Sequence, residues 1–462
     1  MRCWPAVLAT AVLAAGCLEG CLDGRYRCAS TAACTLDGVQ GTCEATGYCS
    51  FPDPSCAPTA RRYGELADPA YRGRCVDDGA SGCIRSVAAG GAHSCLVAQD
   101  GTVWCWGANQ AGQLGNGSFA TAAAPIQVID AAGGPFTDAA DIDAGLDFTC
   151  ARRLDGTAWC WGSGRRVGGG ELPDQPTPRA VMTAAGPLDA VVQVSAGATH
   201  ACAVRSDGTV WCWGANDTAQ LGDADVTGRL VAAPVRRADG SAFDGAGLVA
   251  AGAGFTCAAR ADNTWCWGTN MFGQLGQPGG PAMSAAPVVA LPAAVTALAA
   301  GGGHACAAEP DGSAWCWGRT EDGQIGEPGL PGVGVAPVPV QLAGGDPLAG
   351  TQSLAAGEAH SCASTTSGGV RCWGAGDSGQ LGNASTGAET AVEVDTASGP
   401  LSDAIAVTAG IDDYHAAGGR HTCARQRDAV WCWGAGDSGQ LGDGQMQGSA
   451  LAAPVDLSRV CP

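Results

Sequence analysis

Seven times between residue 87 and the C-terminus the chain repeats a cysteine, a short polar segment and a second cysteine, set within Trp-Cys-Trp-Gly in every copy but one. The pairs are Cys95 and Cys105, Cys150 and Cys160, Cys202 and Cys212, Cys257 and Cys266, Cys306 and Cys316, Cys362 and Cys372, and Cys423 and Cys432. Copies follow one another at about 50 to 60 residues. Self-similarity at that period marks an array of supersecondary units, none of which buries its apolar face without neighbours.

Within the first copy His93, Cys95 and Val97 alternate with Ser94 and Leu96, Gln99-Asp100-Gly101 supplies a turn, and Thr102-Val103-Trp104-Cys105-Trp106 follows. Period-two alternation on both sides of a glycine-bearing turn reads as a β-hairpin. A three-residue turn sets Cys95 directly opposite Cys105, where Cβ atoms lie about 4.5 to 5.5 Å apart, near disulfide range. Two copies shorten the cysteine spacing by one residue and also lose one residue at the tip, around Ala261-Asp262-Asn263 and Arg427-Asp428, so their cysteines stay opposed. Seven disulfides within hairpins are therefore predicted. No pair has the close Cys-x2–4-Cys spacing of a zinc site, and no metal or other cofactor is expected.

Trp104 and Trp106 point away from the cysteine face and are predicted to pack against a neighbouring sheet; only Arg371-Cys372-Trp373-Gly374 changes the first aromatic. His93, His200, His304, His360 and His421 share one repeat position with Phe148 and Phe255. Exchange between imidazole and phenyl implies packing there, not a ring of metal ligands or histidine catalysis. Gly-Gln-Leu-Gly at 112–115 recurs at 273–276, 379–382 and 439–442, with variants at 220–222 and 324–326. Paired glycines about one apolar residue suit a tight turn that tucks the leucine inward. The second copy reads Gly164-Arg165-Arg166-Val167-Gly168 and is expected to be irregular.

Between hairpins runs a further strand beginning Ala-Pro-Val, as at Ala233-Pro234-Val235 and Ala286-Pro287-Val288, then a Val-x-Ala-Ala-Gly-like segment such as Ala297–Gly301. Each unit thus offers about four strands, and 73 glycines suit the many turns this needs. The fold class is all-β, and seven four-stranded units that leave no exposed edge close into a β-propeller over residues 84–462. The last Ala-Pro-Val strand has no hairpin after it, and the first hairpin has none before it, so each end carries what the other lacks. Cys83 and Cys461 map to one repeat position, and a Cys83–Cys461 disulfide is predicted to lock the ring.

Residues 1–17 have an early arginine and an apolar run ending in small residues, the pattern of a secretory signal. Ala14-Ala15-Gly16-Cys17 resembles a bacterial lipobox, which implies lipidation of Cys17 and an outer-membrane or cell-surface location; the alternative is ordinary cleavage and a free secreted product. Residues 18–83 form a cysteine-rich module and linker. Cys21, Cys28, Cys34, Cys43, Cys49, Cys56 and Cys75 crowd a segment poor in core formers, which needs covalent staples. Their connectivity is open, and zinc binding through Cys28, Cys34, Cys43 and Cys49 is the alternative to disulfides.

Gly91-Ala92-His93-Ser94-Cys95, Asp100–Gly107 and Gly112-Gln113-Leu114-Gly115 together resemble the RCC1 repeat. The resemblance implies a seven-bladed propeller whose members bind proteins through loops on one face. Its relatives include a nucleotide exchange factor for a small GTPase, a plant ultraviolet receptor, ubiquitin ligases and a secreted β-lactamase inhibitor. Exchange activity would need an intracellular GTPase, whereas the leader and cysteines point outside the cell. Chromatin binding is disfavoured because 44 acidic residues against 24 basic ones give a net charge of −20. Gly418-Gly419-Arg420-His421-Thr422 offers no tryptophan before the arginine, so the photoreceptor's chemistry is not implied either.

The reading that follows is a non-enzymatic, surface-anchored scaffold that presents propeller loops to an unidentified protein partner, with no nucleic acid and with membrane contact only through a lipid anchor. Loops that vary between similar strands lie at 116–123, 163–179, 223–232 and 327–336. Alternatives are an exchange-like regulatory activity inherited from the family, or a hydrolytic enzyme with a channel site. For the latter the candidate carboxylates are Asp141, Asp143, Asp377 and Asp437, the last two within identical Gly-Ala-Gly-Asp-Ser-Gly-Gln-Leu-Gly stretches.

Overall fold

Alternating strands broken by glycine turns form seven four-stranded antiparallel blades in the computed structural model, the last extended at its outer edge by Asp395–Thr396 and Gly399–Pro400. It describes residues 82–461, apart from 278, 289–290, 292–293, 331, 333–334 and 413–418, together with five short strands within residues 1–81. Two compact units divide at Ser81 and Gly82. In the first, Thr35–Leu36 pairs with Val39–Gln40, and Thr42–Cys43, Cys49–Pro52 and Arg61–Tyr63 form a three-stranded sheet in which Cys43 lies in register with Cys49. The expectations for Cys17, Cys21, Cys28, Cys34, Cys56 and Cys75 lie outside the described residues.

In the second unit, blade 1 runs outward through Ile84–Ala89, His93–Ala98, Val103–Gly107 and Ala122–Gln127. Blades 2 to 7 begin on Ala139–Ala144, Val191–Ala196, Ala246–Ala251, Ala297–Ala300, Thr351–Ala356 and Ala406–Ala409. Every blade is contiguous in sequence, which corrects the expectation that the chain ends complete one blade between them. Ile84–Ala89 is the innermost strand of blade 1 and Ser449–Pro454 the outermost of blade 7, so the ring closes between two whole blades. Cys83 and Cys461 nonetheless meet, paired with Cα atoms 5.8 Å apart. At the same seam Ile84 N–H donates to the Arg427 carbonyl at 3.2 Å.

The hairpin register is that read from the turn lengths. Across the three-residue tips Cys95 faces Cys105, Cys150 faces Cys160, Cys202 faces Cys212, Cys306 faces Cys316 and Cys362 faces Cys372. Across the two shorter tips Cys257 faces Cys266 and Cys423 faces Cys432. Each of these seven pairs is disulfide-bonded, with Cα atoms 4.0 to 4.1 Å apart and no exposed surface.

The tryptophan after the second cysteine is fully buried in all seven copies, whereas the one before it, present in six, is half-buried at the blade interface. Burying an indole removes roughly 150 to 250 Å² from water, so these seven rings dominate the inter-blade core. Trp161 also donates its indole N–H to the Gln113 carbonyl of the preceding blade at 2.9 Å, and Trp267, Trp317, Trp433 and Trp106 repeat the bond to Gln220, Gln274, Gln380 and Gln440. The leucine of Gly-Gln-Leu-Gly is buried as expected.

The variant turn of blade 2 is irregular as expected, two residues shorter from Gly162 to Gly168 than from Gly107 to Gly115 and without a counterpart of Gly112 at φ 82°, but its end is kept. Val167 fills the leucine site, and Gly168 adopts φ 69°, close to the 66° of Gly115. On the following blade Trp213 Nε1 is buried without a partner, as is Trp373 Nε1 beyond the Gln324-Ile325-Gly326 turn.

Five seams carry a polar relay. His93, His200, His304, His360 and His421 each place Nε2 within 2.7 to 2.9 Å of a hydroxyl on the next blade: Thr149, Thr256, Ser361, Thr422 and Ser94 respectively. Each hydroxyl donates in turn to the carbonyl of Gln113, Gln220, Gln324, Gln380 or Gln440. The hydroxyl proton being committed, the imidazole is the donor at Nε2; its Nδ1 is buried without a partner, and that burial keeps the ring neutral. Burial pulls four of these histidines down to about 3 and His421 to about 4. Where the position is Phe148 or Phe255, the facing residue is Ala201 or Ala305, and the seam is apolar.

Sheet edges are covered on both sides. On the inner side, Asp143, Ser195 and Thr408 accept the N–H of Ala196, Ala251 and Ala89 on the following blade. On the outer side, the connection leaving one blade bridges in parallel to the next blade's outermost strand, Arg237 with Ala285, Leu342 with Ala391 and Thr396 with Ala452. Backbone groups that would otherwise template aggregation are thereby paired.

Candidate functional site

A propeller offers three places for chemistry: the axial channel and the two ends of the ring. The channel is closed down by alanine. Ala89, Ala144, Ala196, Ala251, Ala300, Ala356 and Ala409, one from each blade, line a space of about 160 Å³. Asp143, on the innermost strand of blade 2, lines it, and Asp141 lies two residues earlier on the same strand; both are engaged. Asp141 accepts from Ser86 Oγ at 2.8 Å, and Asp143 accepts from the Ala196 and Ala144 amides at 2.9 Å. Burial raises both carboxyls, that of Asp143 to about 6, against the pull of those hydrogen bonds. The raised values have a structural cause, the capping of a strand edge in a tight channel. Asp377 and Asp437 are exposed on loops of separate blades; Asp377 lies 3.4 Å from Arg420 and also accepts from Gln380. The four candidate carboxylates are not gathered into one site.

The end of the ring bearing the hairpin tips carries only short turns, two of them one residue shorter than the rest, and a cavity of about 650 Å³ lined in part by Val192, Asp207 and Val295. Asp100, Asp155 and Asp207 each cap their own turn through the threonine two residues on, and arginines such as Arg205 pair with nearby aspartates.

The other end differs from blade to blade. It carries the turns from the innermost to the second strand and the long loops from the third to the outermost strand, where the divergent segments lie. Gly107 opens the first of these loops at φ 107°, with no room for a Cβ against the Ala92 carbonyl and the His93 backbone. Such glycines hold the loop roots close to the axis while the loop tips vary.

Two cavities share this face and join at Arg319 and Glu358. The larger, about 980 Å³, spans the loops of blades 2 to 4. Leu172, Leu230, Met271 and Phe272 give it an apolar wall, with Met271 77% and Leu172 56% exposed. Its arginines are largely neutralised in place, Arg166 by Asp147 and Arg229 by Asp223 and Asp225. The second, about 710 Å³, lies over blades 5 to 7 and has five carboxylates, Glu321, Asp322, Glu358, Asp377 and Glu389, against Arg319 and Arg420.

Glu358 sits where the two meet. Burial and the Asp412 carboxyl raise it to about 7, opposed by Arg319 and Arg420. Its Oε2 is buried without a hydrogen-bond partner. Sequence reasoning misses Glu358; the one signal is an acidic side chain in the Gly-x-Ala turn where blade 1 has Gly91 and blade 3 Ala198. Among the described residues no group of three or more metal-ligating side chains is brought together.

Fold and faces define a seven-bladed β-propeller with a rigid body and one divergent loop face. The repeats are those of the regulator of chromosome condensation (RCC1): that repeat family matches residues 84–113, 139–166, 191–220, 295–324 and 352–380, and a second match covers 100–152. The chain is an RCC1-repeat propeller.

It is 31% identical over 194 residues to the ultraviolet-B receptor UVR8 of Arabidopsis thaliana, covering 41% of this chain and 42% of that protein. To the mitochondrial RCC1 domain-containing protein RUG3 of the same plant it is 30% identical over 228 residues, covering 46% and 48%. The human E3 ubiquitin-protein ligase HERC2 matches at 31% over 150 residues, 31% of this chain and 3% of that protein. The chain thus spans less than half the length of these relatives. Among solved structures, yeast RCC1 (Prp20) bound to Kap60 superposes with a TM-score of 0.58 at 24% identity, over 71% of this chain and 78% of that one. Human WBSCR16 superposes at 0.59 and 20% identity, over 79% and 94%. These structural likenesses establish the fold.

Proposed function

We propose that this chain is a non-enzymatic binding propeller, exported and held at the cell surface through Cys17, that captures a protein partner on its divergent loop face. The observation that carries the reading is the contrast between the two ends of the ring: one carries only short hairpin tips, four of them capped alike by an aspartate, whereas the other carries long loops that vary between blades and encloses the large cavity with exposed apolar walls. Exposed apolar surface that persists on a well-packed scaffold marks a contact site. The engaged state of Asp141 and Asp143 favours binding over channel catalysis. RCC1-repeat relatives named as a receptor and as ubiquitin ligases fit a recognition role. Export is supported by the leader and by the cysteines, since all 16 in the described part of the propeller have partners, a usage suited to an oxidising compartment.

All 24 basic residues are arginine, so amine-reactive reagents find no lysine on this chain. A photo-crosslinking side chain at position 271 on the loop face, compared with one at position 207 on a hairpin tip, is the suitable test in the native host. A saturable covalent adduct from position 271 alone is expected. Equal labelling from both positions, or none under any growth condition, would overturn the reading.

A further inference from the structure

The joined cavities are unlike in chemistry, and that asymmetry points to a class of partner. Over blades 2 to 4 the trough has an apolar wall, and two of its guanidinium groups, those of Arg166 and Arg229, are already bound to aspartates. Over blades 5 to 7 carboxylates outnumber arginines five to two. At the junction, one Glu358 oxygen has no donor although it is buried. A buried acceptor without a donor is a costly arrangement, relieved when a cation or N–H group is supplied.

We propose that the trough binds an extended segment of a partner protein in which a large apolar side chain is followed within a few residues by an arginine or lysine. The apolar side chain seats against Met271, Phe272 and Leu230, and the cation reaches Glu358 with Asp377 and Glu389 beyond it. This rests on the loop-face reading above and adds the chemistry of the ligand. Charge complementarity selects the occupant. An acidic segment would meet an excess of carboxylates in the second half and is disfavoured. A purely apolar segment would leave that Glu358 oxygen without a donor.

A pH signature follows. Glu358 is held near 7 by burial and Asp412, with Arg319 and Arg420 the cations facing it. A ligand cation favours its ionised form, so affinity for a basic segment rises from pH 6 to pH 8, with a proton released on binding. A segment without a cation has no such dependence at this group.

The test is a selection of random 12-residue peptides displayed on phage, made against the full chain, followed by calorimetric titration of the enriched peptide. Enriched sequences are expected to pair an aromatic or large aliphatic residue with a following Arg or Lys. Met271→Asp, a change at an exposed side chain, is expected to weaken binding at least tenfold. Glu358→Gln is expected to abolish the rise between pH 6 and pH 8 without lowering the melting temperature.

Enriched peptides that are acidic or uncharged after the anchor, binding indifferent to both substitutions, or no enrichment at all would each overturn the proposal. A native partner cross-linked from position 271 but insensitive to Glu358→Gln would sink the trough chemistry alone. A partner cross-linked only from position 207 would sink the loop-face reading itself.

Discussion

Five seams between blades are joined through imidazole, hydroxyl and carbonyl, and two through phenylalanine against alanine. His200 meets Thr256 on the next blade at 2.7 Å, whereas Phe148 meets Ala201. The partners change together although they lie on different repeats. The rule is physical: an imidazole buried without an acceptor is penalised, and a hydroxyl buried beside a phenyl ring is penalised as well. A seam is therefore polar on both sides or on neither, and the unit of design is the interface and not the repeat.

The largest expected effect concerns the seam where chain continuity is missing. Blades 7 and 1 share the His421–Ser94 contact, but only Cys83–Cys461, separated by 378 residues, joins them covalently. On the chain-entropy account a bridge of that span contributes about 6 kcal/mol, against about 3 for a hairpin bridge. Cys83→Ser/Cys461→Ser is expected to lower the guanidinium midpoint by roughly twice the shift seen with Cys95→Ser/Cys105→Ser. Equal shifts would mean that the seam holds without its bridge.

Next comes an exchange of seam types. Phe148→His alone buries an imidazole facing Ala201 and is expected to cost about 2 to 3 kcal/mol in denaturant unfolding. Adding Ala201→Thr supplies the missing hydroxyl and should recover at least half of that loss. A double-mutant coupling near zero would break the seam rule.

The smallest effect, per seam, is on pH dependence. The histidines are neutral in the fold, with values pulled down to about 3 or 4, so below about pH 6.5 the unfolded chain binds more protons than the folded one. Their contribution is present above pH 6.5 and is lost as pH falls toward the folded values. Each histidine adds a slope of about 1.4 kcal/mol per pH unit in that window. Asp143, raised to about 6, acts in the opposite sense between its usual value and pH 6. Converting one polar seam by His200→Phe/Thr256→Ala should lower proton uptake on unfolding at pH 5 by about one. An unchanged slope would show that this histidine is not the titrating group.

Local features of the chain are legible because they depend on short-range geometry. Turn length sets Cys95 against Cys105 and Cys423 against Cys432, and the count of identical hairpins sets the number of blades. Matching of the end segments brings out Cys83 and Cys461, but the same matching assigns the terminal strands to one blade. That error has a physical source, since a cyclic array looks the same wherever its repeat is cut, and only hydrogen-bond pairing decides where one sheet stops. The shortened blade 2 turn is legible as an irregularity, whereas Val167 in the leucine site emerges only from packing.

The spacing of cysteines, turns and aromatic residues by itself determined an all-β ring of hairpins with its cysteines opposed, because each of those relations spans about ten residues and is governed by strand pleat and turn type. What only the tertiary structure decided lies between repeats: which hydroxyl each histidine meets, which aspartate caps a neighbour's edge, and how an apolar cavity and an acidic one join at Glu358. Those relations depend on the rotation from one blade to the next, a quantity that no stretch of local sequence encodes.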